Sequence, residues 1–410
     1  MGQIFKQTSW LLLAQGITRL IGFFYTIFLA KNLGVSDFGQ FSVALAYFSI
    51  ISSIVDFGFN RFLIKEIARD KSKISDLIWN VAMLRLTLTA IIFAFFAVIL
   101  YLADPDKIRL SLILLATMAI LPQSVALTFD TIFIALRNLK FSAIALFLSS
   151  SSTVFAGVIL INSGMGAIGA VNALIFGQLI YSFVLMLFLF QRRALELSEI
   201  RLEVIKKVIR GSLPYGLLGV LGLLYFRVDT VLLSYIKGSF ETGIYAVAYR
   251  FLEAVTFIPA AFSAAIFPVF ARLHDSSPGD LKKLYFKSLK IMFILGVVTL
   301  LGYLFVLPQI IGIFLQNYLS SIVAIKILAL SIPFMFIHVP AVAVLLSTDK
   351  YLGKILILSF LILLFNIVSN LTFIPQFGFI AAAWITIISE FLSFIIFFLF
   401  TKNEVLKRVS

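Results

Sequence analysis

The 410-residue chain contains no cysteine. That excludes disulfides, thiolate metal sites and a cysteine nucleophile. Its two histidines, His274 and His338, are too few and too far apart in sequence to suggest a metal cluster. No Gly-x-x-x-x-Gly-Lys-Ser/Thr motif occurs, so nothing indicates ATP hydrolysis by this chain. Neither a metal nor a cofactor is expected. Charge is scarce: 13% of residues are Asp, Glu, Lys or Arg, where soluble chains carry about 25%. Apolar residues take its place, with 61% of the chain hydrophobic and 45 phenylalanines. The apolar runs reach about 20 residues, longer than a β-barrel strand and suited to a membrane-spanning helix. The composition defines an all-α integral membrane protein with almost no soluble domain.

The runs place twelve spans at 8–30, 37–59, 79–102, 110–136, 141–161, 167–190, 212–236, 243–269, 288–307, 320–347, 352–373 and 378–400. The first is read as an uncleaved span, because it holds Arg19 and lacks a small-residue cleavage site. Twelve spans put both ends of the chain on one side, and the loop charges choose the side. One face carries 24 cations: Lys6, five from Arg61 to Lys73, Arg137 and Lys140, six from Arg192 to Arg210, five from Arg272 to Lys290, Lys350 and Lys354, and Lys402, Lys407 and Arg408. The other face carries four, Lys31, Lys107, Arg109 and Lys237. This asymmetry predicts a multi-pass inner-membrane protein with both termini in the cytoplasm. It also accounts for the net charge of +14 without nucleic acid. The external loops are short and leave no outer domain for catalysis, so a protein that is not an enzyme is expected.

The chain repeats itself. Gly34-Val-Ser-Asp37-Phe-Gly39-Gln-Phe41 matches Gly238-Ser-Phe-Glu241-Thr-Gly243-Ile-Tyr245 at an offset of 204 residues. Gly166-Ala-Ile-Gly-Ala170 before Gln178 matches Gly378-Phe-Ile-Ala-Ala382 before Glu390 at an offset of 212. Spans 2 and 8 therefore correspond, as do spans 6 and 12. The reading is an N-lobe over 1–190, a cytoplasmic amphipathic linker over 191–211 and a C-lobe over 212–410. Each lobe has six spans, and a pseudo-two-fold axis along the membrane normal relates them. In the linker, Leu197, Ile200, Val204, Val208 and Ile209 suggest a helix lying on the membrane surface. Parallel repeats of this kind suit alternating access around a site between lobes.

A charge in hydrocarbon costs at least ~2.5 kcal/mol on insertion scales, so each one needs a reason. Arg19 falls near the midplane of span 1 and Glu390 near that of span 12. At ~1.5 Å per residue, Arg227 and Asp229 lie roughly 10–14 Å from the external end of span 7, and Arg250 and Glu253 lie at similar depth in span 8. Arg250 and Glu253, at i and i+3, can pair directly, whereas Arg227 and Asp229, at i and i+2, point to different sides. Arg19, Arg227, Asp229, Arg250 and Glu253 are the candidates for lining a water-filled cavity. Asp229, Glu253 and Glu390 are the candidates for coupling. The opposing reading makes them ion pairs that glue helices, and the deep cations and carboxylates offset one another, so charge alone does not indicate an anionic substrate. Arg85 and Lys326 are expected to snorkel from span ends, Asp56 to meet Arg61, Asp130 to lie close to Arg137, and His338 to be a packed helix residue. Pro214 with Gly216, Gly219 and Gly222 is expected to loosen the inner half of span 7.

The stretch Arg227-Val-Asp229 … Gly238 … Gly243-Ile-Tyr245-Ala-Val-Ala-Tyr-Arg250 resembles the span 7–8 signature of polysaccharide-biosynthesis flippases. Leu33-Gly34-Val-Ser-Asp-Phe-Gly39-Gln-Phe41 resembles their span 1–2 turn, and Phe267-Pro268 leading into Arg272-Leu273 also fits. These are the O-antigen (Wzx-type) flippases of the multidrug/oligosaccharidyl-lipid/polysaccharide (MOP) exporter superfamily. The resemblance implies a MATE-like pair of six-helix lobes around a cavity lined by spans 1, 2, 7 and 8. It implies as cargo a polyprenyl-diphosphate-linked oligosaccharide, moved from the inner to the outer leaflet for O-antigen- or capsule-type polysaccharide, with Arg19, Arg227 and Arg250 holding the diphosphate. It also implies glycan polymerase and other assembly proteins as partners. The alternative within the superfamily is a cation- or proton-coupled multidrug exporter. A major-facilitator porter fits less well, since Asp56-Phe-Gly58-Phe-Asn-Arg61 matches its basic Gly-rich motif poorly.

Overall fold

The computed structural model describes the backbone of residues 2–192 and 196–406. Lys6, Arg192, Arg193, Lys407 and Arg408, all counted among the cytoplasmic cations, lie outside the residues whose side chains are described. The described chain is helical: α1 (Gly2–Asp56), α2 (Phe59–Arg69), α3 (Ile74–Ala103), α4 (Lys107–Met118), α5 (Ile120–Ala135), α6 (Leu139–Asn162), α7 (Gly166–Arg192), α8 (Leu202–Lys237), α9 (Ser239–Val255), α10 (Phe257–Ser276), α11 (Pro278–Phe305), α12 (Leu307–Phe314), α13 (Ser321–Ala329), α14 (Ile332–Leu346) and α15 (Leu352–Thr401).

Two helices are too long for one crossing. α1 has 55 residues and α15 has 50, and straight helices of that size would reach about 80 Å against a hydrocarbon core of ~30 Å. Each breaks at a glycine in a left-handed conformation, Gly34 with φ 75° and Gly378 with φ 57°. Among the described residues, nine stretches are long and apolar enough to cross a membrane, or ten when the bent pair Ser321–Ala329 and Ile332–Leu346 counts as one span. Gly16–Arg69 and Leu352–Val405 each contain one of these glycines.

The repeated glycines also repeat their backbone. Gly34 has φ 75°, ψ 172° and Gly238 has φ 85°, ψ −177°. Gly166 and Gly378 have φ 53° and 57°. These conformations are open to glycine and costly for residues with a Cβ.

The chain divides into two compact units. The first takes the chain up to Leu33 and from Gln40 to Arg227; the second takes Gly34–Gly39 and the chain from Val228 onward. In the first, α2 buries Phe59, Phe62, Leu63 and Ile67 in a core shared with Leu77 of α3, Phe133 of α5 and Leu185 of α7. Arg85 does not snorkel: it is fully buried and its guanidinium bonds Asp56, Asn60 (2.9 Å) and Thr128 (2.7 Å). Asp56 therefore meets Arg85 rather than Arg61. Asp130 sits beside Ser142 and Tyr181, not Arg137.

Residues 196–201 are not helical. They are strapped across the start of α3: the Trp79 indole donates to the Glu196 carbonyl (2.9 Å), Asn80 donates to the Glu199 carbonyl (3.1 Å) and accepts from the Arg201 N–H (2.7 Å), and Arg201 pairs with Asp76 (2.6 Å). The linker is thus not a separate surface helix. Leu197 and Ile200 face outward, and α8 begins at Leu202 and runs unbroken to Lys237. Its first turns lie on α2, with Val208 buried and Lys207 paired to Glu66 at 2.9 Å. Pro214 sits inside the helix without a break. Gly216 serves close approach, since a Cβ there would strike the Phe57 backbone.

In the second unit, α9 follows the Gly238 turn and is buried over Thr242–Tyr249. A Cβ on Gly39 would strike the Ser239 carbonyl oxygen, and one on Gly243 would strike the Val35 carbonyl oxygen. The two copies of the repeated turn thus cross backbone to backbone.

Candidate functional site

Asp229 is placed on α8, about 12 Å along the helix from its end at Lys237. Its side chain turns into the interior of the second unit, where the residue is 2% exposed. Three uncharged donors converge on the carboxylate. Tyr245 Oη of α9 and Thr386 Oγ1 of α15 both reach Oδ2 at 3.0 Å. Asn370 Nδ2, on the other half of α15, reaches Oδ1 at 2.9 Å. Asn370 also donates to Asn366 Oδ1 at 3.0 Å, and Asn366 donates to Ser389 Oγ at 3.3 Å.

A buried carboxylate solvated only by neutral groups is costly, by several kcal/mol. A proton or a monovalent cation removes that cost. Asn370 Oδ1 is buried with no hydrogen-bond partner, so an acceptor oxygen stands unused beside the carboxylate. Carboxylate, amide and hydroxyl oxygens together suit a hard cation of low charge. Among the described residues, no group of three His, Cys, Asp or Glu side chains that could hold a metal ion occurs.

The other expected site residues are distributed. Arg250 and Glu253 are brought together, pairing at 2.9 Å with roughly a fifth of each side chain exposed. Arg227 is the last residue of the first unit and is half-buried. Arg19 is exposed on α1. Glu390 is buried on α15. His338 is packed as expected, with its ring centroid 5.0 Å from that of Phe397. Sequence reading missed Tyr245, Asn366, Asn370 and Thr386 as site residues. Asn366 and Asn370 had left a signal: two amides at i and i+4 put a polar stripe on an otherwise apolar span.

Long apolar helices, duplicated glycine turns and a buried carboxylate describe a membrane protein that crosses the bilayer many times. The fold agrees with solved transporters of the MOP superfamily. An inward-facing multidrug resistance MATE family transporter superposes with a TM-score of 0.72 at 18% identity, over 94% of this chain and 96% of that one. The lipid II flippase MurJ in an inward closed conformation gives 0.77 at 15% identity, over 96% and 87%. A MOP superfamily transporter from Pyrococcus furiosus gives 0.69 at 15% identity, over 99% and 96%. The sequence profile of the polysaccharide biosynthesis protein family matches residues 4–274, and that of the MatE family matches 214–372. The chain belongs to the polysaccharide biosynthesis protein family. A relative described as "Probable flippase AglR", from Haloferax volcanii, is 27% identical over 174 residues, 40% of this chain; the match spans 35% of that relative's length.

Proposed function

We propose that the chain is a flippase that moves polyprenyl-diphosphate-linked oligosaccharides from the cytoplasmic to the outer leaflet for surface polysaccharide assembly. It works by alternating access of an N-lobe (1–190) and a C-lobe (212–410), in an inner membrane with both termini in the cytoplasm. The Asp229 site carries the reading. A carboxylate ringed by neutral donors is what ion coupling requires, whereas a scaffold is better served by a paired charge such as Arg85. Membership in the polysaccharide biosynthesis family supports the cargo.

Arg19, Arg227 and Arg250 hold the diphosphate, since guanidinium groups bind phosphate oxygens in bidentate fashion. Glu253 pairs with Arg250 at 2.9 Å, so the diphosphate competes with Glu253 for that cation. A proton or monovalent cation at Asp229 biases the lobes, with Glu253 and Glu390 as further coupling candidates. The glycan passes among polar groups while the lipid tail stays in the bilayer. Glycan polymerase and other assembly proteins are the expected partners. The second reading, a coupled multidrug exporter, is favoured by the MatE match, which includes Asp229 and Asn370.

Arg19→Ala and Arg227→Ala, each expressed as the sole copy of this protein, are expected to abolish surface glycan at normal protein level and to leave lipid-linked precursor in the inner leaflet. Normal surface glycan in both variants would overturn the cargo assignment and leave the exporter.

A further inference from the structure

Outside the Asp229 cluster, the same unit holds another carboxylate in a specific contact. Glu241 Oε2 accepts a hydrogen bond from the backbone N–H of Phe379 at 3.0 Å. Phe379 follows Gly378, the break in α15, so it opens the second half of that helix. The first N–H groups of a helix have no intrahelical acceptor and form the positive end of its dipole, which is where a carboxylate is most favourable. Gly378 fits the contact twice over: its φ is 57°, and a Cβ there would land on the Glu241 carboxylate.

The contact is registered with the Asp229 site. Glu241 and Tyr245 are four residues apart and share a face of α9. Phe379 and Thr386 are seven apart, two turns along one face of α15. α9 therefore grips the second half of α15 at two points. At one, Glu241 holds the helix start. At the other, Tyr245 and Thr386 hydroxyls lie 3.3 Å apart and both reach Asp229 Oδ2.

We propose that Glu241 is a positioning residue for the Asp229 site: by capping Phe379 it fixes the axial register of α15 on α9 and so brings Thr386 and Tyr245 onto one carboxylate oxygen. A slip of one residue moves Thr386 by ~1.5 Å along the axis, enough to break a hydrogen bond of ordinary length. The inference rests on the reading of Asp229 as the ion-coupling group.

Trp384, two residues from Thr386, is a built-in reporter, and Trp10 and Trp79 are the other tryptophans of the chain. With those two changed to Phe, the purified full-length protein is titrated with Na⁺ and, separately, with pH while Trp384 fluorescence is followed. The parent is expected to titrate with one of the two ions, and Asp229→Asn to abolish the response. Glu241→Ala and Glu241→Asp, whose shorter side chain falls short of Phe379, are expected to shift the half-point by about tenfold, the scale of losing one helix cap. Glu241→Gln, which retains an acceptor oxygen of the same reach, is expected to restore it. Half-points in Glu241→Ala and Glu241→Asp equal to the parent's, with the Asp229→Asn response lost, overturn the role of Glu241 alone. If Glu241→Ala does not fold, an unshifted Glu241→Asp does the same. A response that survives Asp229→Asn, or a parent that responds to neither ion, overturns the Asp229 reading and this inference with it.

Discussion

Arg85 and Asp229 are two buried charged residues treated in opposite ways. Arg85 is neutralised by Asp56 and further bonded by Asn60 and Thr128. Asp229 meets only neutral donors. The first arrangement is fully met and serves the packing of α2, α3 and α5. Arg85→Leu leaves the half-buried Asp56 carboxylate unpaired and is expected to cost roughly 1–3 kcal/mol, read as a lower unfolding temperature in detergent. Adding Asp56→Leu is expected to recover most of that loss, because the orphaned charge is then gone. Neither arrangement could be read from sequence. Periodicity placed Arg85 near a span end and Asp56 one turn from another, but contacts 29 and 141 residues apart, Arg85 to Asp56 and Asp229 to Asn370, depend on which helices are neighbours. The pair Arg250–Glu253 was legible because both partners sit on one helix face.

At the scale of elements, the strap over 196–201 shows why amphipathicity misled. Leu197 is 92% exposed, so the apolar residues there do not mark the buried face. What fixes the segment is polar, and Asn80, itself 0% exposed, is its centre. Asn80 donates to the carbonyls of Asp76 (2.8 Å) and Glu199 (3.1 Å) and accepts from Arg201 N–H (2.7 Å). Asn80→Ala is expected to release the strap at a cost of about 1–3 kcal/mol. Limited proteolysis within 196–201 should accelerate about tenfold or more, while the far-ultraviolet helix signal stays unchanged. An asparagine in an apolar span does advertise a polar contact, but its partner lies 119 residues on, in a segment with no periodicity of its own.

For the molecule as a whole, the sequence was most informative where the chain copies itself. The all-helical membrane fold and the repeated glycine turns followed from apolar run lengths and from residues that only a special backbone requires. The glycines were recognised as a spacing, and the structure shows a shared positive φ behind them. The Asp229 site was only half visible: its charge stood out, its amides and hydroxyls did not. The crossing of the two turns supplies a test at this scale. Gly39→Ala and Gly243→Ala each drive a methyl group into the carbonyl oxygen of the other turn, at Ser239 and Val35. Because the obstacles are equivalent, the two single changes are expected to lower the unfolding temperature equally, each by an overpacking cost of about 1–3 kcal/mol. Unequal shifts would show that the crossing is not symmetric in energy.

That crossing has the form of a self-complementary dimer contact. Val35 and Ser239 occupy one repeat position and Gly39 and Gly243 another, so position one of each copy meets position two of its counterpart. This reciprocity is the hallmark of an interface between identical subunits on a two-fold axis. Here it is written twice in a single chain. A substitution at either glycine is therefore best understood as a change to half of an interface, whose other half must change in step if the turns are to keep meeting.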